Sequence, residues 1–239
     1  MGKSSRDLVI ALVVALIVAG ALIGVSVAGV GSSSKPAAKA VTGLVATNAL
    51  FRGIPQSGNV LGNPGAPATL VEFGEPQCPV CGAWARETLP TVVHDYVRTG
   101  KLKIVFRGIS FIQPTGESER ALCALAAAQG RQFQLLDLLF RNQGEEGAGW
   151  ITDDLRRSLG GAVFGLDVQR MMSDRSSAAA RSEIQESARA AARVMGTHLR
   201  TPTFLAGPSG AHLAPIQVST MGQLGPQGFS QLLDQTISP

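Results

Sequence analysis

The feature that most constrains the fold is a pair of cysteines placed where an apolar strand gives way to a helix. Residues 70–73 form a short, mostly apolar run, and the sequence Cys-Pro-Val-Cys follows at positions 78–81. Pro79 suits the first turn of a helix, and apolar residues recur at helical spacing over residues 84–96. A strand that leads into a cysteine-bearing helix predicts an α/β domain with reactive groups at the junction.

The pattern along the folded part predicts the order β-α-β, then several helices, then β-β-α. Pro90 should kink the first helix. A helical insertion is expected over about residues 112–199, where apolar residues recur at helical spacing. Strands are predicted at residues 70–73, 102–106, 201–207 and 216–218, and a last helix at residues 229–237.

An uncharged run of 23 residues precedes the folded part. It covers residues 8–30, and Lys3 and Arg6 lie before it. A bilayer core takes about 20 apolar helical residues, and a positive flank stays on the cytoplasmic side. We therefore expect a transmembrane signal-anchor, with residues 1–7 in the cytoplasm and everything after Val30 outside it.

Two fates of this segment stay open. Ser26-Val27-Ala28 resembles a cleavage site, so that cleavage near Ala28 would give a secreted protein, whereas the run is longer than the usual core of a signal peptide. The residues that follow are polar and poor in large apolar groups. We expect an extracytoplasmic tether over residues 31–49 and a folded domain over residues 50–239.

The charge distribution argues against nucleic acid as a partner. The 21 Lys and Arg residues exceed the 17 Asp and Glu residues by only 4, and aromatic residues make up 5% of the chain. The sequence has no dense basic run, whereas a phosphate-binding surface needs concentrated positive charge. We therefore expect no nucleic-acid partner.

The two cysteines of the motif occupy chemically different positions. The unpaired N–H groups and the dipole of a helix N-terminus stabilise an anion, and the thiolate is the attacking species in disulfide exchange. Cys78 lies nearest the helix start and is expected to be exposed and partly thiolate. Cys81 lies one turn further on and is expected to resolve the mixed disulfide.

A zinc site and a purely structural disulfide are the alternatives to a redox pair. Zinc would need Cys123 or the histidines, His94, His198 and His212, to complete a ligand set at irregular spacing. A structural bridge over so short a loop constrains little chain entropy. We expect no metal, no cofactor and no catalytic histidine. Cys123 is expected to be a small buried thiol, with an intermolecular or regulatory disulfide as its alternative.

Glu72 lies within the apolar strand, six positions before Cys78. A carboxylate is costly to bury unless it has a use, and burial raises its pKa. We expect Glu72 to accept the proton of Cys81 while the mixed disulfide resolves. The alternative is a glutamate on an edge strand that reaches solvent.

Several segments, taken in order, resemble one family. They are GIPQSGNVLGNPGAPATLVEFGEPQCPVCGAW, KLKIVF, the helical block ALCALAAAQGRQFQLLDLLF and TPTF. Over about residues 50–237 the chain resembles the DsbA-like thioredoxin-fold thiol:disulfide oxidoreductases, in particular their membrane-tethered bacterial branch. The resemblance implies a thioredoxin fold with a helical insertion between its two halves.

The resemblance also implies a role for each residue of the site. Cys78 would be the nucleophile, Cys81 the resolving cysteine and Glu72 the buried acid. Thr201 and Pro202 would form a loop with a cis-proline opposite the disulfide. That loop would lie beside Cys78 and pair with the backbone of the substrate.

The two residues between the cysteines, Pro79 and Val80, would complete the surface that contacts the substrate. The strongest oxidants of the family carry a histidine where this chain has Val80, and that imidazole helps to hold the thiolate. We therefore expect a weaker oxidant.

These expectations combine into a function. The protein would introduce disulfides into secreted or envelope proteins by dithiol-disulfide exchange outside the cytoplasm. Its partners would be reduced or misbridged extracytoplasmic proteins and a membrane redox partner, either a quinone-linked oxidase or an electron donor. An extracytoplasmic disulfide reductase or isomerase is the main alternative, and a metal-binding or protein-binding module is a weaker one.

Overall fold

The computed structural model describes residues 40–237 of the chain. The predicted membrane segment, residues 8–30, lies outside the described residues, as does the first part of the predicted tether. Within residues 40–237 no helix has both the length and the apolar character that a membrane span requires.

A six-stranded sheet forms the centre of the described domain, with the strand order β1-β2-β4-β3-β5-β6. β3 runs parallel to β4 and antiparallel to β5, so that it is covered on both edges. β3 is almost wholly buried, which fits its apolar run. The strands are β1 (Gln56–Ser57), β2 (Val60–Leu61), β3 (Ala68–Gly74), β4 (Leu102–Gly108), β5 (Thr203–Pro208) and β6 (Ala214–Pro215).

Helices pack around this sheet, and those between β4 and β5 form the helical insertion, residues 115–195. A π-helical turn, Val93–Val97, continues α3, and a short 3-10 helix, Met221–Leu224, precedes α9. Among the described residues the α-helices are α1 (Leu44–Phe51), α2 (Pro79–Glu87), α3 (Leu89–Val92), α4 (Thr115–Ala126), α5 (Gln132–Arg141), α6 (Asp153–Ala162), α7 (Val168–Asp174), α8 (Ala178–Met195) and α9 (Pro226–Ile237).

The expected order of elements is present, with additions. The first helix breaks at Thr88, next to the predicted kink at Pro90. The hairpin of β1 and β2 was not predicted, because strands of two residues are too short to show a period. Helices α6 and α7 were not predicted either.

The strand predicted at residues 216–218 lies earlier in the chain, and that prediction is wrong in position. β6 pairs Ala214 with Ala206 and Pro215 with Leu205, and the N–H of Ile216 then donates to the Phe204 carbonyl at 2.9 Å. In this register, residue 218 would lie opposite residue 202, which precedes β5. The partner strand therefore runs out before residue 218.

The sequence pattern places the start of the folded domain at residue 50, but the structure shows that folding begins earlier in the chain. α1 packs on α5, and its Thr47 hydroxyl donates to the buried carboxylate of Asp137. Thr42 exchanges two hydrogen bonds with the Asn142 side chain, at 2.9 and 3.0 Å. Residues 42–49 thus belong to the folded domain rather than to a free tether.

Three buried aromatic rings fix the position of α2 on the sheet. Trp84 of α2 packs on Phe204 of β5 with ring centroids 4.8 Å apart, and on Phe229 of α9 at 5.3 Å. The two phenylalanines lie 4.7 Å apart. Strand β5, α2 and α9 are therefore joined at one point of the core, two turns from the cysteine end of α2.

Candidate active site

Cys78 caps the N-terminus of α2. Its backbone is extended, and its sulfur accepts the N–H of Cys81 at 3.3 Å. Pro79 takes the first helical position, where an N–H group would have no partner within the helix. The sulfur therefore sits at the positive end of the helix dipole, which favours a thiolate.

The Cys78 sulfur is more enclosed than the sequence predicts. Cys78 is 6% exposed, and its sulfur lies 3.4 Å from the Thr201 carbonyl oxygen, to which its protonated form donates. The loop before β5 therefore lies over the sulfur, and the prediction of an exposed thiol is wrong. The Thr201–Pro202 peptide bond is cis, and the loop lies beside Cys78 as the resemblance implies.

The two thiols of the motif differ in acidity. The hydrogen bond with the Cys81 side chain is the largest influence on the pKa of Cys78 and lowers it to about 6, while burial opposes it. The Thr201 side chain and nearby backbone N–H groups lower this pKa further. Burial, followed by the contact with Cys78, raises the pKa of Cys81 well above its ordinary value. At neutral pH Cys78 is thus the thiolate and Cys81 the thiol.

Glu72 occupies the middle of the sheet rather than an edge. It lies in β3 between Phe106 of β4 and Phe204 of β5, and it is 2% exposed. Its Oε1 atom has no hydrogen-bond partner among the described residues. Burial, and then the charge of Cys78, raises the pKa of the Glu72 carboxyl to about 8. The alternative of a solvent-reaching glutamate is therefore wrong.

Gln77 ties the turn before Cys78 to the helical insertion. Its side-chain N–H₂ donates to the Ile112 carbonyl at 3.2 Å and to the Ser118 hydroxyl at 3.1 Å. Its carbonyl oxygen accepts the N–H of Gly147 at 3.0 Å. Gln77 is fully buried, so these bonds hold the turn without competition from water.

Gln143 holds the same turn from the end of α5. Its side chain donates to the Pro76 carbonyl at 3.1 Å and to the Cys78 carbonyl at 2.9 Å. A Cβ atom at Gly82 would lie 2.2 Å from the Gln143 side-chain oxygen. Gly82 therefore leaves the space that the Gln143 side chain needs to bond to the turn.

Glu75 also belongs to the site, although it was not predicted. It is fully buried, and one carboxylate oxygen accepts the N–H of Gln77 at 2.5 Å. The sequence signal for it is an acidic side chain between a glycine and a proline, three residues before Cys78. Glu75 is also influenced by Ser118 of α4, which lies about 40 residues further along the chain, and no local sequence pattern reveals such a neighbour.

A shallow groove of about 260 Å³ adjoins the motif. Val80 and Trp84 line one side, and Met221 and Leu224 line the other. Met221 is 65% exposed, and Pro79 is exposed beside the groove. A mostly apolar surface next to a reactive sulfur suits an extended peptide.

The other candidate groups lie outside the site. Cys123 is half-buried rather than buried, and burial is the main cause of its raised pKa, with smaller influences from the charges of Glu119, Arg175 and Arg181. The three histidines are exposed. Within residues 40–237 no group of three or more His, Cys, Asp or Glu side chains is placed to hold a metal ion, and all three cysteines are free thiols.

Curated relatives resemble the chain in sequence over about half of this domain. A probable disulfide bond formation protein D of Bacillus cereus is 31% identical over 101 residues, which cover 41% of this chain and 47% of that protein. The chain thus matches about half the length of this curated relative.

Two solved structures share the fold. The crystal structure of oxidised BdbD from Bacillus subtilis has a TM-score of 0.61 and 18% sequence identity. The match covers 76% of this chain and 95% of the BdbD chain. The crystal structure of Chlamydia trachomatis DsbA has a TM-score of 0.57 and 18% sequence identity. The match covers 74% of this chain and 90% of the DsbA chain.

The family assignment rests on the extent of one further match. A family model described as thioredoxin matches residues 56–220, which is more than half of the chain and includes both cysteines and the loop at Pro202. The chain therefore belongs to the thioredoxin family, with the fold of its DsbA-like members.

Proposed function

We propose that the protein is an extracytoplasmic thiol:disulfide oxidoreductase that introduces disulfides into secreted or envelope proteins. The observation that carries the proposal is the contrast between two adjacent thiols at one helix start, because the pKa of Cys78 is lowered and that of Cys81 is raised. In such a pair Cys78 is both a good nucleophile and a good leaving group, while Cys81 stays protonated and buried.

In the oxidising direction, a substrate thiolate attacks the Cys78 sulfur of the Cys78–Cys81 disulfide, and Cys81 leaves. A second substrate thiolate then attacks the substrate sulfur of the mixed disulfide, and Cys78 leaves as a thiolate. The substrate loses two electrons and gains a disulfide bond, while the cysteine pair gains two electrons. The low pKa of Cys78 favours this second step, because a more acidic thiol leaves faster.

Glu72 supplies the proton that Cys81 needs as it leaves. Its raised pKa lets it hold a proton at neutral pH, and its electrostatic influence on Cys81 supports its proximity to that sulfur. In the reverse direction it takes the proton back as Cys81 attacks the mixed disulfide. A buried acid suits this role because bulk water has little access to the sulfur.

The loop of Thr201 and Pro202 and the groove beside Val80 would bind the substrate. The loop lies against the Cys78 sulfur, so that an extended peptide bonded to it would present its own sulfur to Cys78. Pro79 and Val80 would contact the same peptide from the helix side. The apolar groove next to them favours unfolded segments over folded surfaces.

The same proposal covers the location and the partners. Residues 8–30 would anchor the chain in the membrane, and the folded domain would act outside the cytoplasm on reduced or misbridged proteins. A membrane redox partner, such as a quinone-linked oxidase, would restore the Cys78–Cys81 disulfide after each turnover.

The reduction potential of the cysteine pair tests the direction of the reaction. It is measured on residues 40–239 by equilibration with glutathione buffers, followed by alkylation of the free thiols. A value towards about −120 mV supports disulfide donation, whereas one near about −270 mV supports a reductase. A value at the thioredoxin end of this scale would overturn the oxidative assignment.

A further inference from the structure

Glu75 is a second buried carboxyl at the cysteine pair, and the roles given to Cys78, Cys81 and Glu72 leave it unused. It is 0% exposed, and its Oε1 atom has no hydrogen-bond partner among the described residues. A carboxylate in such a place is costly unless it is neutral or has a function. A glutamine would offer the same acceptor to the turn without burying a titratable group.

The backbone holds Glu75 and Cys78 close together. The Cys78 N–H donates to the Glu75 carbonyl at 3.0 Å, which closes a four-residue turn between the two. The Glu75 carboxylate folds back over this turn and accepts the Gln77 N–H. The carboxyl and the reactive sulfur thus share one tight turn at the start of α2.

The helical insertion fixes the other side of the carboxyl. The Ser118 hydroxyl of α4 accepts from the Gln77 side chain at 3.1 Å, and Ser118 favours the ionised form of the Glu75 carboxyl. Gln77 in turn bonds to the backbone at Ile112 and Gly147. The carboxyl therefore cannot swing out to solvent without breaking several buried bonds.

Among the described residues, no positively charged side chain forms an ion pair with Glu75. The ion pairs formed by residues 40–237 do not include it. The groups that act on it are Ser118 from α4, the N–H groups of Gln77 and Cys78, and the charge of Cys78 at the start of α2. Glu72, the titratable group on β3, is likewise affected by Cys78. Within the described part of the chain, Cys78 is therefore the titratable group whose charge acts on both Glu72 and Glu75.

We propose that Glu75 is a positioning residue that binds a proton when Cys78 becomes a thiolate and releases it when Cys78 enters a disulfide. This inference rests on the proposed function, because it concerns the redox cycle of the same pair. On reduction, the pair gains two electrons, Cys81 takes one proton, and Glu75 takes up a second proton. On oxidation both protons are released.

Burial raises the pKa of the Glu75 carboxyl to about 7, against the lowering effects of Ser118 and of the Gln77 N–H, and the charge of Cys78 adds to the rise. The carboxyl is thus neutral well below pH 7 and ionised well above it. In the ionised form it repels the Cys78 thiolate and makes reduction of the disulfide less favourable. In the neutral form it has no such effect.

Substitution Glu75→Gln tests the proposal, because the side chain keeps its shape and its acceptor for the Gln77 N–H but cannot titrate. The equilibrium constant with glutathione is measured on the full chain in detergent at about pH 5.5 and about pH 8.5. Wild type and variant should agree at the lower pH. At the higher pH the variant should be more oxidising by about three- to tenfold, since one pKa unit of coupling is a tenfold effect.

Glu186→Gln, at an exposed carboxylate on α8, is the matched control and should follow wild type at both pH values. An offset of the Glu75→Gln variant that is equal at both pH values would indicate a structural role and overturn the proposal. Failure of the wild type to exchange with glutathione at all would instead overturn the proposed function.

A second measurement does not depend on a variant that folds. The carboxyl carbon of Glu75, labelled with ¹³C and followed by NMR, should titrate at a higher pH in the reduced protein than in the oxidised protein. Equal midpoints in the two states would also overturn the proposal.

Discussion

Replacing the buried carboxyl of Glu72 with an amide should remove a large pH dependence of stability. The folded protein holds the Glu72 pKa at about 8, against an ordinary value of 4.5. Between these two pH values the unfolded chain has lost the proton and the folded protein keeps it, so the free energy of unfolding falls as the pH rises. The free energy of unfolding falls by about 1.4 kcal/mol per pH unit, so over this interval it falls by about 5 kcal/mol.

Glu72→Gln should therefore be close to wild type in stability at pH 5 and more stable at pH 8.5, by as much as about 5 kcal/mol. The assay is urea unfolding of residues 40–239 across this pH range, with the cysteines kept reduced as in the structure. The same variant should resolve mixed disulfides more slowly, because Cys81 loses its proton donor. Parallel stability curves for the two proteins from pH 5 to pH 8.5 would refute the reasoning.

Further substitutions separate the roles of the neighbouring residues. Cys78→Ser should abolish disulfide transfer to a reduced test protein, while Cys81→Ser should accumulate mixed disulfides on a non-reducing gel; full activity of Cys78→Ser would exclude it as the nucleophile. Val80→His should lower the pKa of Cys78, seen as a shift of the thiolate absorbance at about 240 nm, and should make the pair more oxidising; an unchanged titration would show that the side chain at position 80 does not reach the sulfur. Phe204→Ala should cost about 3–5 kcal/mol in urea unfolding, because the ring packs on both Trp84 and Phe229, and a loss below about 1 kcal/mol would contradict the packing.

The local part of the site could be predicted from the sequence, and its long-range part could not. The strand, the motif and the helix start are adjacent in the chain, so a single pattern gives their order and the difference between Cys78 and Cys81. Glu72 stood out because a charge interrupts an apolar run. These features depend on spacing alone.

The braces around the motif depend instead on how distant segments meet. Gln143 bonds to the Cys78 carbonyl across 65 residues, and Gln77 bonds to Ser118 across 41. Polar residues in loops carry no period, so neither glutamine stood out. The enclosure of Cys78 has the same cause, since the loop that covers it arrives from 123 residues further along the chain.

The hydrogen bonds between Thr42 and Asn142 have a consequence for where the chain is cut. Asn142 precedes Gln143, so the N-terminal segment and the carbonyl of Cys78 are held by two consecutive residues at the end of α5. A fragment that starts at residue 50 would lose both Thr42 and Thr47, and with them one hydrogen-bonding partner each of Asn142 and Asp137. Its cysteine pair would then be measured with one of its supports loosened, whereas a fragment that starts at residue 40 keeps the support intact.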